Sequence, residues 1–532
     1  MSNIPRKYPI GIQTFERMIQ EGYIYIDKTD MVWDIAHLAP FVFLSRPRRF
    51  GKSLLSSTLH SFFAGEKHLF KGLKIMEMEK DWNKYPVIHL DLSTAKNQSS
   101  PADISKKLRN IVEPYTIEYD IDINMDYTPG DYFNNIIRRA YQQTGKQVAI
   151  IIDEYDAPLL DMLHDPERLT ETRRIMQDFY QHLKSNEQYI RFCFITGITK
   201  FSQLSIFSTL NNLKNISMLP AFAAICGITE KELTTTLSED IQKLATEWNC
   251  SFDEAHKQLK QQYDGYHFAH SGDEVYNPFS LFNAFGDMEL NNYWFSTGTP
   301  TFLIRQMQHF HTDITALNDY EVPADAFDLP TETLTNALPL LYQSGYVTIK
   351  GYDRLTKLYR LAIPNNEVLT GLTKGLIPSY IGIEAPYVQT GFAVKFWRAL
   401  LTKDIDLALK EMKAFMAGIP YVEGFKKKLA EATTAEGFYE YTLYLIFSML
   451  NVYVQTQVKC HGGRIDMVVM MPDTTYVFEI KTSLSVQKAM RQIDDRGYVN
   501  PYLTKGRQVV KVAVKFDCKT MNVQDWSIVP LT

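Results

Sequence analysis

The chain has 532 residues, 45% hydrophobic and 22% charged, proportions of a soluble globular protein that exclude collagen-like, coiled-coil and intrinsically disordered classes. At roughly 100 to 200 residues per domain, this length calls for three or four domains. Fifty-six Lys and Arg against 61 Asp and Glu leave a net charge of −5, so there is no chain-wide basic field and any nucleic-acid contact has to be local.

Short apolar runs at residues 41–44, 86–90, 148–152 and 190–195 alternate with longer amphipathic stretches, which predicts a parallel sheet in βαβ units, with residues 222–225 as a candidate fifth strand. From about Ile228 to Ile304 the pattern is helical with interruptions. Residues 334–361 read as a helix followed by a small hairpin, a winged-helix-like pattern, and residues 385–435 as amphipathic helices. The last hundred residues return to strand and helix alternation, a second α/β domain. The predicted division is 1–228, a P-loop domain; 229–375, a helical lid with a winged-helix-like region; 376–432, a helical linker; and 433–532, a second α/β domain. The five cysteines, Cys193, Cys226, Cys250, Cys460 and Cys518, are odd in number and never form a C-x-x-C pair, which argues for a reducing compartment and against a disulfide framework or zinc site. No signal-peptide core or run of ~18 apolar residues is present, so we expect a cytoplasmic protein without a membrane partner.

Directly after the first apolar run comes Ser45-Arg-Pro-Arg-Arg-Phe-Gly-Lys-Ser53, then a plausible amphipathic helix from Leu54. Strand, loop and helix in that order form the context of a phosphate cradle, in which helix N–H groups and the positive dipole end receive phosphate oxygens. Lys52 is expected to reach the β- and γ-phosphates of ATP and Ser53 to bind Mg²⁺, with Arg46, Pro47, Arg48, Arg49, Phe50, Gly51 and Leu54 as the surrounding nucleotide contacts. In the G-x-x-x-x-G-K-[ST] pattern the first glycine falls on Arg46, so the loop has to bend without that permissive residue. The strand Ile150-Ile-Ile-Asp-Glu154 ends in two carboxylates. It is expected beside the P-loop strand, with Asp153 in the Mg²⁺ shell and Glu154 as the catalytic group that orients or deprotonates water. A third strand ends in Ile195-Thr-Gly-Ile-Thr-Lys200, where Thr196 and Thr199 are candidates for sensing the γ-phosphate. Arg173, Arg174 and Arg191 are not assigned as an arginine finger.

Arg46-Pro-Arg-Arg-Phe-Gly-Lys-Ser53, Ile152-Asp-Glu-Tyr-Asp156, Thr196-Gly-Ile-Thr-Lys-Phe201, Tyr263-Asp-Gly-Tyr-His-Phe268, Tyr276-Asn-Pro-Phe279 and Trp294-Phe-Ser-Thr-Gly298 closely resemble the bacterial AAA-ATPase-like proteins that carry a C-terminal PD-(D/E)XK nuclease-superfamily domain. The resemblance covers nearly the whole chain. It implies an ASCE-type P-loop ATPase core related to the STAND signalling ATPases, and in that family the substituted first glycine is usual.

Residues 462–481 read as two strands joined at Pro472-Asp473, a good turn pair. A tight turn there pairs Asp466 with Glu479, and strand alternation puts Glu479 and Lys481 on one face with Phe478 and Ile480 on the other. Two opposed carboxylates repel unless a cation sits between them, the arrangement of a Mg²⁺-dependent phosphodiesterase in which Lys481 positions water or offsets transition-state charge. Glu-x-Lys is also an ordinary strand-edge pattern. Matched to the PD-(D/E)XK pattern, the resemblance makes Asp466 the first acidic position and Glu479-Ile-Lys481 the E-x-K, Gln492 and Tyr498 the additional Gln and Tyr, and Glu440 the helix carboxylate. Gln455 and Gln457 stand where a carboxylate is often found.

Two functions remain open. In the first, ATP binding and hydrolysis control a nuclease-like domain acting on DNA or RNA through its C-terminal site, with oligomers possible. In the second, a regulatory ATPase scaffold carries a nuclease-fold domain that binds nucleic acid or protein without cutting.

Overall fold

Apolar, β-branched sequence builds the first sheet. In the computed structural model β1 (Phe41–Ser45), β2 (Val87–Asp91), β3 (Val148–Asp153), β4 (Ile190–Gly197) and β5 (Lys214–Asn215) form a parallel sheet in the order β2-β3-β4-β1-β5. The structure describes residues 6–531 except 97, 99, 123, 125, 161, 163–164, 200–212, 299–302, 304–305, 308–309, 311–319, 329–335, 373–394, 397, 401, 418–434, 438, 441, 444–452, 472–473 and 504–506. Every residue of β1 and β3 is buried, as expected of strands covered on both faces. Phe43, Ile150, Ile152 and Ile195 pack under the helices Pro101–Glu118, Pro129–Thr144 and Pro166–Ser185. On the opposite face Phe192 stacks on Phe63 of the helix Lys52–Phe63 at 4.8 Å.

Two expectations are corrected here. β3 does not lie beside the P-loop strand β1, because β4 is inserted between them and pairs with both, the arrangement of an ASCE-type core. The fifth strand is Lys214–Asn215, not residues 222–225. Two polar residues leave no apolar run to read, whereas Pro220–Phe222 forms a 3₁₀ turn.

Beyond the sheet, β6 (Ile228–Thr229) pairs with β7 (Val275–Tyr276) beside helices Glu230–Thr236, Ser238–Glu247, Phe252–Tyr263 and Pro278–Asp287. The expected helix and hairpin are present: the buried helix Leu338–Gln343 precedes the hairpin of β9 (Thr348–Tyr352) and β10 (Tyr359–Ala362), and β8 (Tyr320–Val322) pairs with β10. Described residues up to Glu367 form one compact unit and those from Val368 a second. Of the expected 385–435 helical stretch, Ile405–Ala417 is helix; much of the remainder lies outside the described residues.

The second unit is built on a mixed sheet, β11 (Tyr453–Cys460), β12 (Gly463–Met470), β13 (Thr474–Lys481), β14 (Gln508–Asp517) and β15 (Asn522–Leu531), paired in chain order. Only β13 and β14 run parallel, joined through the helix Val486–Asp495. Val486, Ala489, Met490 and Ile493 recur at helical spacing and pack on Val477, Val509 and Ala513. The five cysteines are free. Among the described residues no helix is long and apolar enough to cross a membrane.

Ile150→Ala should leave a cavity in the core of the first sheet and cost about 2–5 kcal/mol. A urea midpoint equal to that of the parent chain would contradict the packing described.

Candidate functional site

The loop after β1 turns without a glycine at its first position. Arg49 (φ 67°) and Gly51 (φ 95°) supply the left-handed residues, and Gly51 caps the helix Lys52–Phe63. Lys52 is buried and its Nζ donates to Pro47 O at 3.0 Å, a bond within the loop. Burial pulls its pKa down, against the pull of Glu154, Asp153 and Asp156.

The acidic strand end meets this loop. Ser53 acts to lower the Asp153 pKa, but burial outweighs it and pushes the carboxyl up to about 6. Glu154 occupies φ 50°, a conformation costly for a non-glycine residue, and its carboxylate is ion-paired with Lys96. Burial acts to raise the Glu154 pKa, but Lys96, Lys52 and Arg48 outweigh it and the net shift is downward. Arg48, Lys52, Ser53, Leu54, Lys96 and Glu154 line one cleft of about 320 Å³. Arg48 Nε is buried with no hydrogen-bond partner among the described residues, an open donor in a cation-rich cleft at a helix N-terminus. The donor set fits a polyphosphate, and the Ser53–Asp153 pair fits Mg²⁺, which keeps most of its waters and takes few protein oxygens.

Not every expected contact points here. Arg46 is buried away from the loop interior: its guanidinium donates to Ser45 O, Ser217 O and Phe222 O and lies 4.3 Å from the Phe268 ring centre, and its N–H donates to Gly197 O. Phe50 packs between Tyr266 and Phe268 at 4.7 and 5.4 Å. The Thr196 hydroxyl donates to Leu44 O, and that of Thr199 to Asp156. Asp156, which no expectation singled out for a role, is buried and also accepts from the N–H groups of Ile198 and Thr199. It pins β4 to β3, and Gly197 is required there because a Cβ would fall 2.5 Å from Asp156 Oδ1. Lys96 was also missed; it lies beyond β2 in no recognisable motif.

Further contacts brace the loop. The Trp294 indole donates to Arg48 O at 3.0 Å, and at Gly345 (φ 87°) a Cβ would lie 2.7 Å from Pro47 Cγ. Trp294 N in turn donates to the fully buried carboxylate of Glu367, which also accepts from Ser280 Oγ.

In the second unit the hairpin register runs from Met467↔Phe478 to Met470↔Thr475. Continued by one residue, it sets Asp466 opposite Glu479, as expected; Pro472 and Asp473 lie outside the described residues. Lys481 Nζ sits 2.7 Å from Glu479 Oε1 and 3.6 Å from Asp466 Oδ2, and Asp466 accepts from Ile480 N at 2.7 Å. Burial, then repulsion by Asp466, pushes the Glu479 pKa up to about 7, and burial also raises that of Asp466. For Lys481 burial acts downward, but the Glu479 contact and neighbouring carboxylates raise its pKa. Glu436, missed in the sequence, lies 3.8 Å from Lys481 Nζ and accepts from Thr482 N.

Glu440 accepts from Gln457, which has φ 50° and interrupts the β11–β12 ladder opposite Asp466. Arg464 donates to Gln457 Oε1. Gln455 pairs across the ladder with Val468. Gln492 donates to the Tyr498 hydroxyl at 3.5 Å. Among the described residues no three Asp, Glu, His or Cys side chains form a ready metal cage. Among the described residues Glu479 Oε2 is nevertheless buried without a hydrogen bond, and two carboxylates plus waters and phosphate oxygens suit Mg²⁺.

A family model described as a predicted AAA-ATPase matches residues 9–207, and one for the PD-(D/E)XK nuclease superfamily matches residues 434–526. An Azotobacter chroococcum mcd 1 protein described as "Uncharacterized protein in vnfD 5'region" is 32% identical over 532 residues, covering 97% of this chain and 98% of that protein. Two solved structures are more distant. The Aeropyrum pernix Orc1 protein in complex with DNA has 9% identity and TM-score 0.27, covering 66% of this chain and 93% of that one. Cdc6p from Pyrobaculum aerophilum has 11% identity and TM-score 0.22, covering 71% and 97%.

Glu367 should make the stability of the first unit depend on pH. Burial pushes its pKa up to about 7 from 4.5, so between those values the folded state retains a proton that the unfolded state has released. Stability should fall by about 3 kcal/mol as pH rises from 4.5 through 7. Glu367→Gln should flatten that slope in denaturant titrations; an unchanged slope would show that another group carries it.

Proposed function

The chain belongs to the bacterial AAA-ATPase-like family that carries a C-terminal PD-(D/E)XK nuclease-superfamily domain, and from that premise we propose that it is a nucleotide-switched protein: ATP bound and hydrolysed in the first unit controls a nuclease-like site in the second. The observation that carries the ATPase reading is the gathering of Lys52, Ser53, Asp153 and Glu154 at one helix N-terminus, in a cleft lined by cations. Lys52 leaves Pro47 O for the phosphates, Ser53 and Asp153 hold the metal shell, and Glu154 orients the attacking water. Thr196 and Thr199 act by holding the β4 end in place, since their hydroxyls already have internal partners. The divisions 1–228, 229–375, 376–432 and 433–532, a cytoplasmic location and a possible oligomer belong to the same reading.

In the second unit Asp466 and Glu479 hold Mg²⁺, which when bound polarises the scissile phosphate and acidifies water. Lys481, held by three carboxylates, places a positive charge beside the phosphate where transition-state charge develops. Gln492 and Tyr498 orient the substrate backbone from the following helix and turn. A specific observation favours the non-cleaving scaffold as a second reading: Gln457 stands neutral beside Asp466, held by Glu440 and Arg464.

Lys52→Ala should abolish binding of a fluorescent ATP analogue, and Glu154→Gln should bind it normally yet hydrolyse ATP about 100-fold or more slowly. Normal affinity in the first variant or full turnover in the second removes the assignment concerned.

Cleavage of labelled single- and double-stranded DNA and RNA, with Mg²⁺ or Mn²⁺ and with or without ATP, should be lost in Asp466→Ala. No cutting by a chain that still hydrolyses ATP favours the scaffold.

A further inference from the structure

The β9–β10 hairpin concentrates positive charge on an acidic chain. Between Thr348 and Ala362 it carries Lys350, Arg354, Lys357 and Arg360 against Asp353 alone, a net +3 where the whole chain carries −5. Lys350 is used internally, on Gly265 O and Glu274. Arg354 and Lys357 are exposed at the tip with no ion-pair partner among the described residues. Between them stands Leu355, 95% exposed.

The tip is built to hold this leucine out. Asp353 N donates to Leu358 O at 2.9 Å, and Asp353 Oδ1 accepts from Leu355 N at 2.8 Å, closing the turn from within. Lys357 takes φ 58°, and Leu358 N donates to Thr356 Oγ1. Behind the tip Tyr352 packs on Tyr359 at 4.6 Å, and Tyr359 on the buried Phe327 at 5.3 Å, which anchors the hairpin. An isolated exposed leucine is ordinary on a protein surface. A leucine at the apex of a hydrogen-bonded turn, flanked by two unpaired cations, is the arrangement of an apolar wedge that enters between base steps while its neighbours hold phosphates. Because the turn is already ordered, little entropy is lost when it docks.

We propose that the Arg354-Leu355-Thr356-Lys357 tip is a duplex-DNA contact separate from the Asp466/Glu479 site: Arg354 and Lys357 grip phosphates of the two strands and Leu355 wedges into the minor groove. The choice of nucleic acid as partner rests on the functional reading above, but binding is separable from cutting.

The test is fluorescence anisotropy of the full chain on a labelled 20-base-pair duplex in EDTA, where cleavage is suppressed, across a series of salt concentrations. Arg354→Ala/Lys357→Ala should bind about tenfold or more weakly and reduce the slope of log K against log salt by about 1.8, at about 0.9 per phosphate contact. Leu355→Ser should keep the slope but lose the fluorescence rise of a 2-aminopurine placed in the duplex, which reports unstacking. All three positions are exposed, and unchanged melting temperatures will show that the fold is kept. Parent-like affinity and slope in the double variant, absence of duplex binding by the parent chain, or a hairpin-dependent preference for anionic lipid vesicles over the duplex would each overturn the proposal. A parent chain that binds in a tip-dependent manner yet never cuts with Mg²⁺ would retain the DNA contact while removing the nuclease reading.

Discussion

A guanidinium with no carboxylate to pair with among the described residues organises the first unit. Arg46 stands where a P-loop ordinarily has glycine, and burial pulls its pKa down to about 10, a measure of the cost of placing that charge inside. The cost is offset by three carbonyls, Ser45 O, Ser217 O and Phe222 O, and by the face of Phe268. Because these partners lie on three different stretches of chain, satisfying one buried cation fixes the end of β1, the segment after β5 and the Tyr263–Phe268 motif relative to one another. The substituted glycine is therefore a structural anchor, and the flexibility it lacks is supplied by Arg49 and Gly51.

With the loop anchored from behind, its front is free to respond. Lys52 rests on Pro47 O and Glu154 on Lys96, so both charged groups have internal partners that a phosphate would compete for. The same carbonyl-rich loop is read from outside by Trp294, whose other donor ends on the buried Glu367. A polar chain of this kind is stiff because each member satisfies the next, and a shift of Arg48 O cannot be absorbed locally. The two candidate sites share one device: carboxylates buried enough to repel each other or their surroundings, held beside a lysine. They also share strain, with Glu154 and Gln457 both near φ 50° in or beside the carboxylate clusters.

Much of this was legible in the residues. Fully apolar strands announce a sheet covered on both faces, Gly-Lys-Ser after a strand announces a phosphate cradle, and the 2-residue period of a strand sets Glu479 beside Lys481. The opposition of Asp466 and Glu479 followed from turn chemistry alone, and the observed register agrees with it. What failed to show were features with no local signature. The two-residue strand β5 has no hydrophobic pattern, and the insertion of β4 between β3 and β1 is a choice among crossovers that any set of apolar strands permits.

Side-chain direction was likewise beyond a linear reading. Arg46, Thr196 and Thr199 sit in motif positions yet turn to carbonyls and to Asp156, because a buried donor must find an acceptor and only the folded neighbours decide which is nearest. Lys96 and Glu436 reach their sites from segments distant in sequence from the residues they meet. The sequence by itself determined the fold class, the residue types of the two clusters and the strand faces they occupy, since these depend on residue type and on periods of 2 and 3.6. Tertiary structure alone decided which charges meet and which motif residues serve as anchors, since burial and pairing are properties of the surroundings that a side chain acquires only when the chain closes around it.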